Sequence, residues 1–165
     1  MLTNQPVSPG TDPEPSGWHV DLCGLGLPWP GRLWVAGAHA PGGVALDSLV
    51  REGAWVLDCA GMVRRRWEPH ALRFAQWVFE DLERVPPRFE RLLALCRTWA
   101  DDLVRELPPH VIVACTHGLN RSALVAGIIL RELGVPGEEA MRRIRAARPG
   151  ALNNRTFEAL LLSSL

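Results

Sequence analysis

The chain has 165 residues, 47% of them hydrophobic and 22% charged, which suits one soluble globular domain with a core of its own. Its 18 basic residues balance 18 acidic ones, and a formal net charge of zero argues against nucleic acid as the main partner, because gripping a phosphate backbone takes a basic excess. Every basic residue is an arginine, so a cationic contact to a ligand has to come from Arg, His, a helix N-terminus or a metal.

Residues 1–17, rich in Pro, Ser, Thr and Gly and without apolar periodicity, read as a flexible tail, and the folded domain is expected over 18–165. Residues 32–36 (RLWVA) predict a first strand, and 44–52 carry helical spacing. The run AWVLDC at 54–59, between Gly53 and Gly61, predicts a buried strand, and LRFAQWV at 72–78 another. Pro86-Pro87 opens a long amphipathic helix over 88–107, closed by Pro108-Pro109. A buried strand follows at 111–114 (VIVA), then an apolar helix at 122–133 stopped by Gly134, then shorter helices at 137–147 and 154–162. Strands alternating with helices predict a single α/β domain with a central, mostly parallel sheet flanked by helices. The seven tryptophans are assigned mainly to the core, with Trp67 and Trp77 able to edge a pocket.

Four cysteines are present, Cys23, Cys59, Cys96 and Cys115, and none is spaced as C-x-x-C, which argues against a zinc ribbon or thioredoxin motif. The N-terminus has no basic stretch followed by an apolar one, and the longest apolar run, 123–130, is far too short to span a bilayer. A cytoplasmic protein with free thiols, no membrane span and a monomeric state is the expectation.

The chemistry concentrates in VIVACTHGLNRSALVAGIIL, residues 111–130, which reads strand, tight loop, helix. Cys115 leaves the strand, and Arg121-Ser122 opens the helix. A loop wound into a helix N-terminus points several backbone N–H groups at one spot, and the positive end of the helix dipole reinforces them. Such a cradle binds an anion and favours a thiolate within it. A phosphoryl group seated there lies over the Cys115 sulfur, held by the loop Thr116, His117, Gly118, Leu119 and Asn120, while Arg121 clamps two of its oxygens. That arrangement supports covalent catalysis at phosphorus with Cys115 as nucleophile. Cys59 also has an arginine six residues on, Arg65, but that match has Met62 at the fourth position, where Gly118 stands in the other, and runs into Trp67-Glu68-Pro69, where no helix is expected.

The string C-T-H-G-L-N-R-S resembles the C-x5-R-[ST] signature of the cysteine-dependent dual-specificity and tyrosine phosphatase superfamily. The likeness covers most of 30–165, and RPGALNNRTFEALL is similar to that family's last loop and helix. It implies hydrolysis of phosphomonoesters through a cysteinyl phosphate, with no cofactor and no metal. Ser122 would hydrogen-bond the leaving thiolate; it also reads as an ordinary helix-start serine. The general acid would be an Asp some thirty residues before the nucleophile. The segment FAQWVFEDLERVPP offers Asp81, with Glu80 as competitor, and resembles the acid loop of the phosphoinositide-phosphatase and tumour-suppressor branch. VLDCAG resembles the NLCAE segment of that branch, which implies Cys59 as a redox partner for Cys115; a small core residue is the other reading. The chain departs from the family at Ala114, where a histidine usually precedes the nucleophile and helps activate it. His117 could supply positive charge in the loop or simply face solvent.

Phosphoprotein is the first substrate expected, phosphotyrosine foremost with phosphoserine and phosphothreonine beside it. The loop lacks the lysines typical of inositide-selective members. Arg64-Arg65-Arg66 keeps phosphoinositides and nucleotides open, against the plainer reading of a solvated turn. A phosphate-binding pseudophosphatase without turnover is the alternative of a different class, and a sulfur-transfer or arsenate-reducing enzyme is a third.

Overall fold

The residues HVIVAC of 110–115 are apolar on both sides of a strand, which marks a strand covered on both faces. In the structure, a computed structural model describing residues 13–163, that strand is an interior member of a six-stranded sheet. In chain order the elements are β1 (Ser16–Val20), β2 (Arg32–Gly37), β3 (Val44–Ala45), α1 (Asp47–Arg51), β4 (Trp55–Asp58), α2 (Arg64–Trp67), β5 (Arg73–Gln76), α3 (Phe89–Glu106), β6 (His110–Cys115), α4 (Arg121–Glu132), α5 (Gly137–Ala147) and α6 (Arg155–Leu162). The sheet order is β3-β1-β2-β6-β4-β5. The pairs β2–β6, β6–β4 and β4–β5 are parallel, and β1 runs antiparallel to both of its neighbours. The sheet is therefore mixed, with its parallel part where the cysteine-bearing strands lie.

Alternation along the strands divides the core in two. Leu33 and Val35, Trp55 and Leu57, and Val111, Val113 and Cys115 face the side covered by α3, α4, α5 and α6. Trp34 and Ala36, Val56, and Ile112 and Ala114 face the other side, where Val50 of α1 and Trp67 of α2 pack. Helix α4 is buried from Ser122 through Leu130, as its nearly unbroken apolar sequence requires. At Gly127 of α4 a Cβ would lie 2.7 Å from the Leu161 side chain, so a larger residue there would have to push that side chain aside. Phe157 and Leu161 of α6 are fully buried, and each such side chain contributes roughly 1.5–3 kcal/mol.

Several expectations need correction. Residues 16–20 form β1, so the strand order begins before 32–36, and Ser16 and Gly17 are strand rather than tail. The stretch SGWHV has little apolar alternation of its own, and its pairing with β2 and β3 defines it. The rest of the expected tail lies mostly outside the described residues. The segment 44–52 is split between β3 and the short α1. A helical turn, α2, stands at 64–67 where none was expected; Trp67 is buried there with its indole N–H donating to Asp47 at 2.8 Å, so it does not edge a pocket. Trp77 is half-buried and lines a cleft of about 550 Å³ with Val78, Phe79, Pro86 and Arg88. Among the described residues, no helix is long and apolar enough to cross a membrane.

Candidate active site

Cys115 ends β6, and the chain then turns through 116–120 into α4. The turn needs Gly118 at φ 69°, a left-handed conformation that side chains disfavour. Gly118 also packs against β2, where a Cβ would lie 3.1 Å from the Ala36 carbonyl carbon, and Gly37 meets the loop from the other side, where a Cβ would lie 2.7 Å from the His117 carbonyl carbon. The loop is pinned further by the Ala38 N–H donating to Cys115 O at 2.9 Å and the His39 N–H donating to Thr116 O at 2.8 Å. On its outer side the Arg148 guanidinium donates to His117 O at 3.2 Å while stacking 3.8 Å over the Trp18 ring.

Cys115 is 3% exposed; its sulfur accepts the Gly118 N–H at 3.3 Å and lies 3.3 Å from the hydroxyl of the buried Ser122. Among the described residues, the backbone N–H groups of His117, Leu119 and Asn120 have no hydrogen-bond partner. Arg121 opens α4 and folds back over the loop. Its Nη1 donates to Phe79 O at 3.1 Å and its Nη2 to Thr116 Oγ1 at 2.9 Å, while Nε is buried with no partner among the described residues. Unpaired N–H donors at a helix N-terminus, with the part-buried guanidinium of Arg121 beside them, suit a tetrahedral oxyanion. His117 is exposed, with Nδ1 3.2 Å from His39 O, so its ring faces outward from the loop.

Asp81 stands on the irregular segment 77–88 that follows β5. Its carboxylate is brought to the loop by two amides: Asn120 Nδ2 donates to Oδ2 at 2.9 Å and Asn154 Nδ2 to Oδ1 at 2.9 Å. Glu80 instead pairs with Arg84 at 3.2 Å on the surface, both side chains largely exposed. Asn120 was legible as a loop residue, but Asn154 and its contact with Asp81 were not. The one sequence signal was an Asn in front of an apolar helical run, which marks a helix N-cap and nothing more.

Cys59 follows β4 next to β6, and its N–H donates to Ala114 O at 2.8 Å. It faces the same side of the sheet as Cys115 and is fully buried. Burial pushes its thiol well above the ordinary cysteine range, and the neighbouring Cys115 adds to the effect. Burial likewise raises Cys96 inside α3, whereas Cys23 is exposed. The three arginines of α2 are exposed, and Arg64 and Arg65 line an open cleft with Gly61, Glu68 and Pro69. Arg64 pairs with Glu68 at 2.6 Å and Arg66 with Asp47 at 2.6 Å, which leaves Arg65 as the one of the three without a partner among the described residues. No three His, Cys, Asp or Glu side chains among the described residues gather into a metal-binding group.

No protein-family model matches the chain. No curated protein matches it. Solved structures do. Tk-PTP in its active form superposes with a TM-score of 0.63 at 24% identity, covering 89% of this chain and 93% of that one. Human DUSP28 does so with a TM-score of 0.60 at 24% identity, over 78% and 84%. A putative protein tyrosine phosphatase from Leishmania major does so with a TM-score of 0.66 at 18% identity, over 90% and 98%. The shared sheet, the strand–loop–helix at its centre and the flanking helices mean that the chain has the fold of the dual-specificity and protein tyrosine phosphatases.

Proposed function

We propose that the protein is a phosphomonoesterase that works through a cysteinyl phosphate, with phosphorylated protein as its first substrate class. The observation that carries this reading is the Cys115 sulfur beneath a loop whose N–H groups at 117, 119 and 120 are unpaired among the described residues, beside the unpartnered Nε of Arg121. A phosphoryl group bound there meets the sulfur on one side and leaves its ester oxygen toward Asp81. Cys115 attacks phosphorus, the P–O ester bond breaks, and Asp81 delivers a proton to the departing oxygen. Water then displaces the sulfur, Asp81 takes its proton, and phosphate leaves. Ser122, 3.3 Å from the sulfur, stabilises the thiolate as it is released. Thr116, His117, Gly118, Leu119 and Asn120 form the binding loop, and Arg121 supplies the charge that neutralises the equatorial oxygens. The engagement of Arg64 and Arg66 in ion pairs favours a phosphoprotein over a ligand with several phosphates.

The test is Cys115→Ser. It should abolish turnover of an aryl phosphate, by at least ~10⁴-fold, as removal of a nucleophile does. Vanadate or tungstate should still bind, because the loop N–H groups are untouched. Turnover above a trace would overturn the nucleophile assignment, and loss of oxyanion binding would overturn the cradle. Asp81→Asn should cost ~10²–10⁴-fold on an alkyl phosphate and far less on para-nitrophenyl phosphate, whose leaving group needs no proton. Equal losses on both would remove Asp81 from the acid role.

A further inference from the structure

We propose that Asn154, acting through its side-chain nitrogen, is the positioning residue that holds the Asp81 carboxylate beside the phosphate loop, so that the N-terminus of α6 is a working part of the acid segment. This rests on the reading of Asp81 as general acid.

Asn154 does two jobs with two different atoms. Its Oδ1 accepts the Phe157 N–H at 3.1 Å, which caps α6. Its Nδ2 donates to Asp81 Oδ1 and to Leu82 O, both at 2.9 Å, which is no part of capping. Asn120 completes the arrangement from the phosphate loop. Its Nδ2 donates to Asp81 Oδ2 at 2.9 Å and to Asn153 Oδ1 at 2.7 Å, and its Oδ1 accepts the Asn154 N–H at 2.9 Å. Asn154 is 5% exposed and Asn120 7%, whereas Asp81 is an exposed residue on a segment with no helix or strand. The order therefore comes from the buried amides and passes to the carboxylate.

The backbone before α6 is built around this contact. Leu152 sits at φ 58°, which residues with a side chain rarely adopt, and its N–H donates to Leu119 O of the phosphate loop at 2.8 Å. Arg145 holds the same turn through the carbonyls of Ala151 at 3.0 Å and Leu152 at 2.9 Å. A residue kept in a disfavoured conformation by several contacts suggests a placement that matters. The geometry also suits an acid. Each carboxyl oxygen has more than one lone pair, so Asp81 can carry a proton while still accepting from both amides.

Two substitutions separate the cap from the tether. Asn154→Ser keeps an oxygen that caps α6 but cannot reach Asp81 with a donor. Asn154→Asp keeps the cap and sets a carboxylate against Asp81. In each, kcat/KM on phenyl phosphate, which reports the step that forms the cysteinyl phosphate, should fall by ~10-fold or more, part of the full value of acid assistance, while kcat/KM on para-nitrophenyl phosphate changes less than ~2-fold. Asn154→Asp should show the larger selective loss, with thermal midpoints for both near that of the parent. Combined with Asp81→Asn, neither should add a further loss on phenyl phosphate, because the tether then has nothing to hold. Equal losses on the two substrates, or losses that add to those of Asp81→Asn, would overturn the proposal. If Asp81→Asn is leaving-group selective but both Asn154 variants behave as the parent, the positioning role falls and the acid reading stands. If Asp81→Asn itself shows no selectivity, both fall.

Discussion

Two stretches of the chain share the spacing Cys-x5-Arg at the carboxyl end of a parallel strand, Cys59 to Arg65 after β4 and Cys115 to Arg121 after β6. Both run on into a helix. Asp58 and Ala114, the residues just before each cysteine, sit opposite one another in the sheet. The Asp58 carboxylate is buried and accepts the N–H groups of Ala60, Gly61, Met62 and Val63 at 2.9–3.4 Å. The first loop therefore carries its own anion, which takes the N–H groups of residues 60–63 that an external one would need. Ala114 has nothing to offer the second loop, and the N–H groups at 117, 119 and 120 stay unpaired among the described residues. The arginines differ in the same sense: Arg65 is exposed on the four-residue α2, whereas Arg121 is folded against Phe79 and Thr116 at the start of the twelve-residue α4. Spacing alone builds neither site; the residue before the cysteine decides whether the loop is filled from within.

The largest effect should come from making the second loop like the first. Ala114→Asp places a carboxylate where it can take the loop N–H groups, and it should remove both turnover and oxyanion binding while the far-ultraviolet circular dichroism stays native. Vanadate inhibition unchanged in a folded Ala114→Asp protein would mean that the filled-loop explanation is wrong. A smaller effect separates the arginines. Arg121→Lys loses the planar fork and should cost ~10²–10³-fold in kcat, in the range of deleting one transition-state donor. Arg65→Lys should leave kcat within about twofold, as expected for an exposed side chain away from the cradle, and comparable losses at the two positions would erase the distinction.

The smallest and most conditional effect concerns the two cysteines. Adjacent parallel strands run about 4.8 Å apart, within the reach of about 7 Å between Cα atoms that a disulfide allows. Peroxide should oxidise the two thiols to a Cys59–Cys115 bond, with two waters formed, and a dithiol should reverse the loss of activity. Peptide mapping reads the bond directly. Recovery by Cys59→Ser equal to that of the parent after the same treatment would show that Cys59 gives no protection.

Much of the fold was legible because the buried parallel strands and the long helices carry their periodicity in the chain itself. VIVA at 111–114 and the apolar run of α4 look the same on paper and in the sheet. β1 and α2 were missed because SGWHV and RRRW have no pattern of their own, and partners far along the chain order them. At the site, the local sequence was enough to single out Cys115, Gly118, Arg121 and Ser122, since a strand, a tight loop and a helix N-terminus are all contiguous. It also nominated Asp81, but from spacing and likeness, with Glu80 left beside it. Only the tertiary structure decided which carboxylate meets the loop, because Asp81 is chosen by amides at 120 and 154, on either side of it in space and far from it in sequence. It also decided what Asp58 does, because a strand-end carboxylate turns inward to its own loop only when burial removes water as the competing partner.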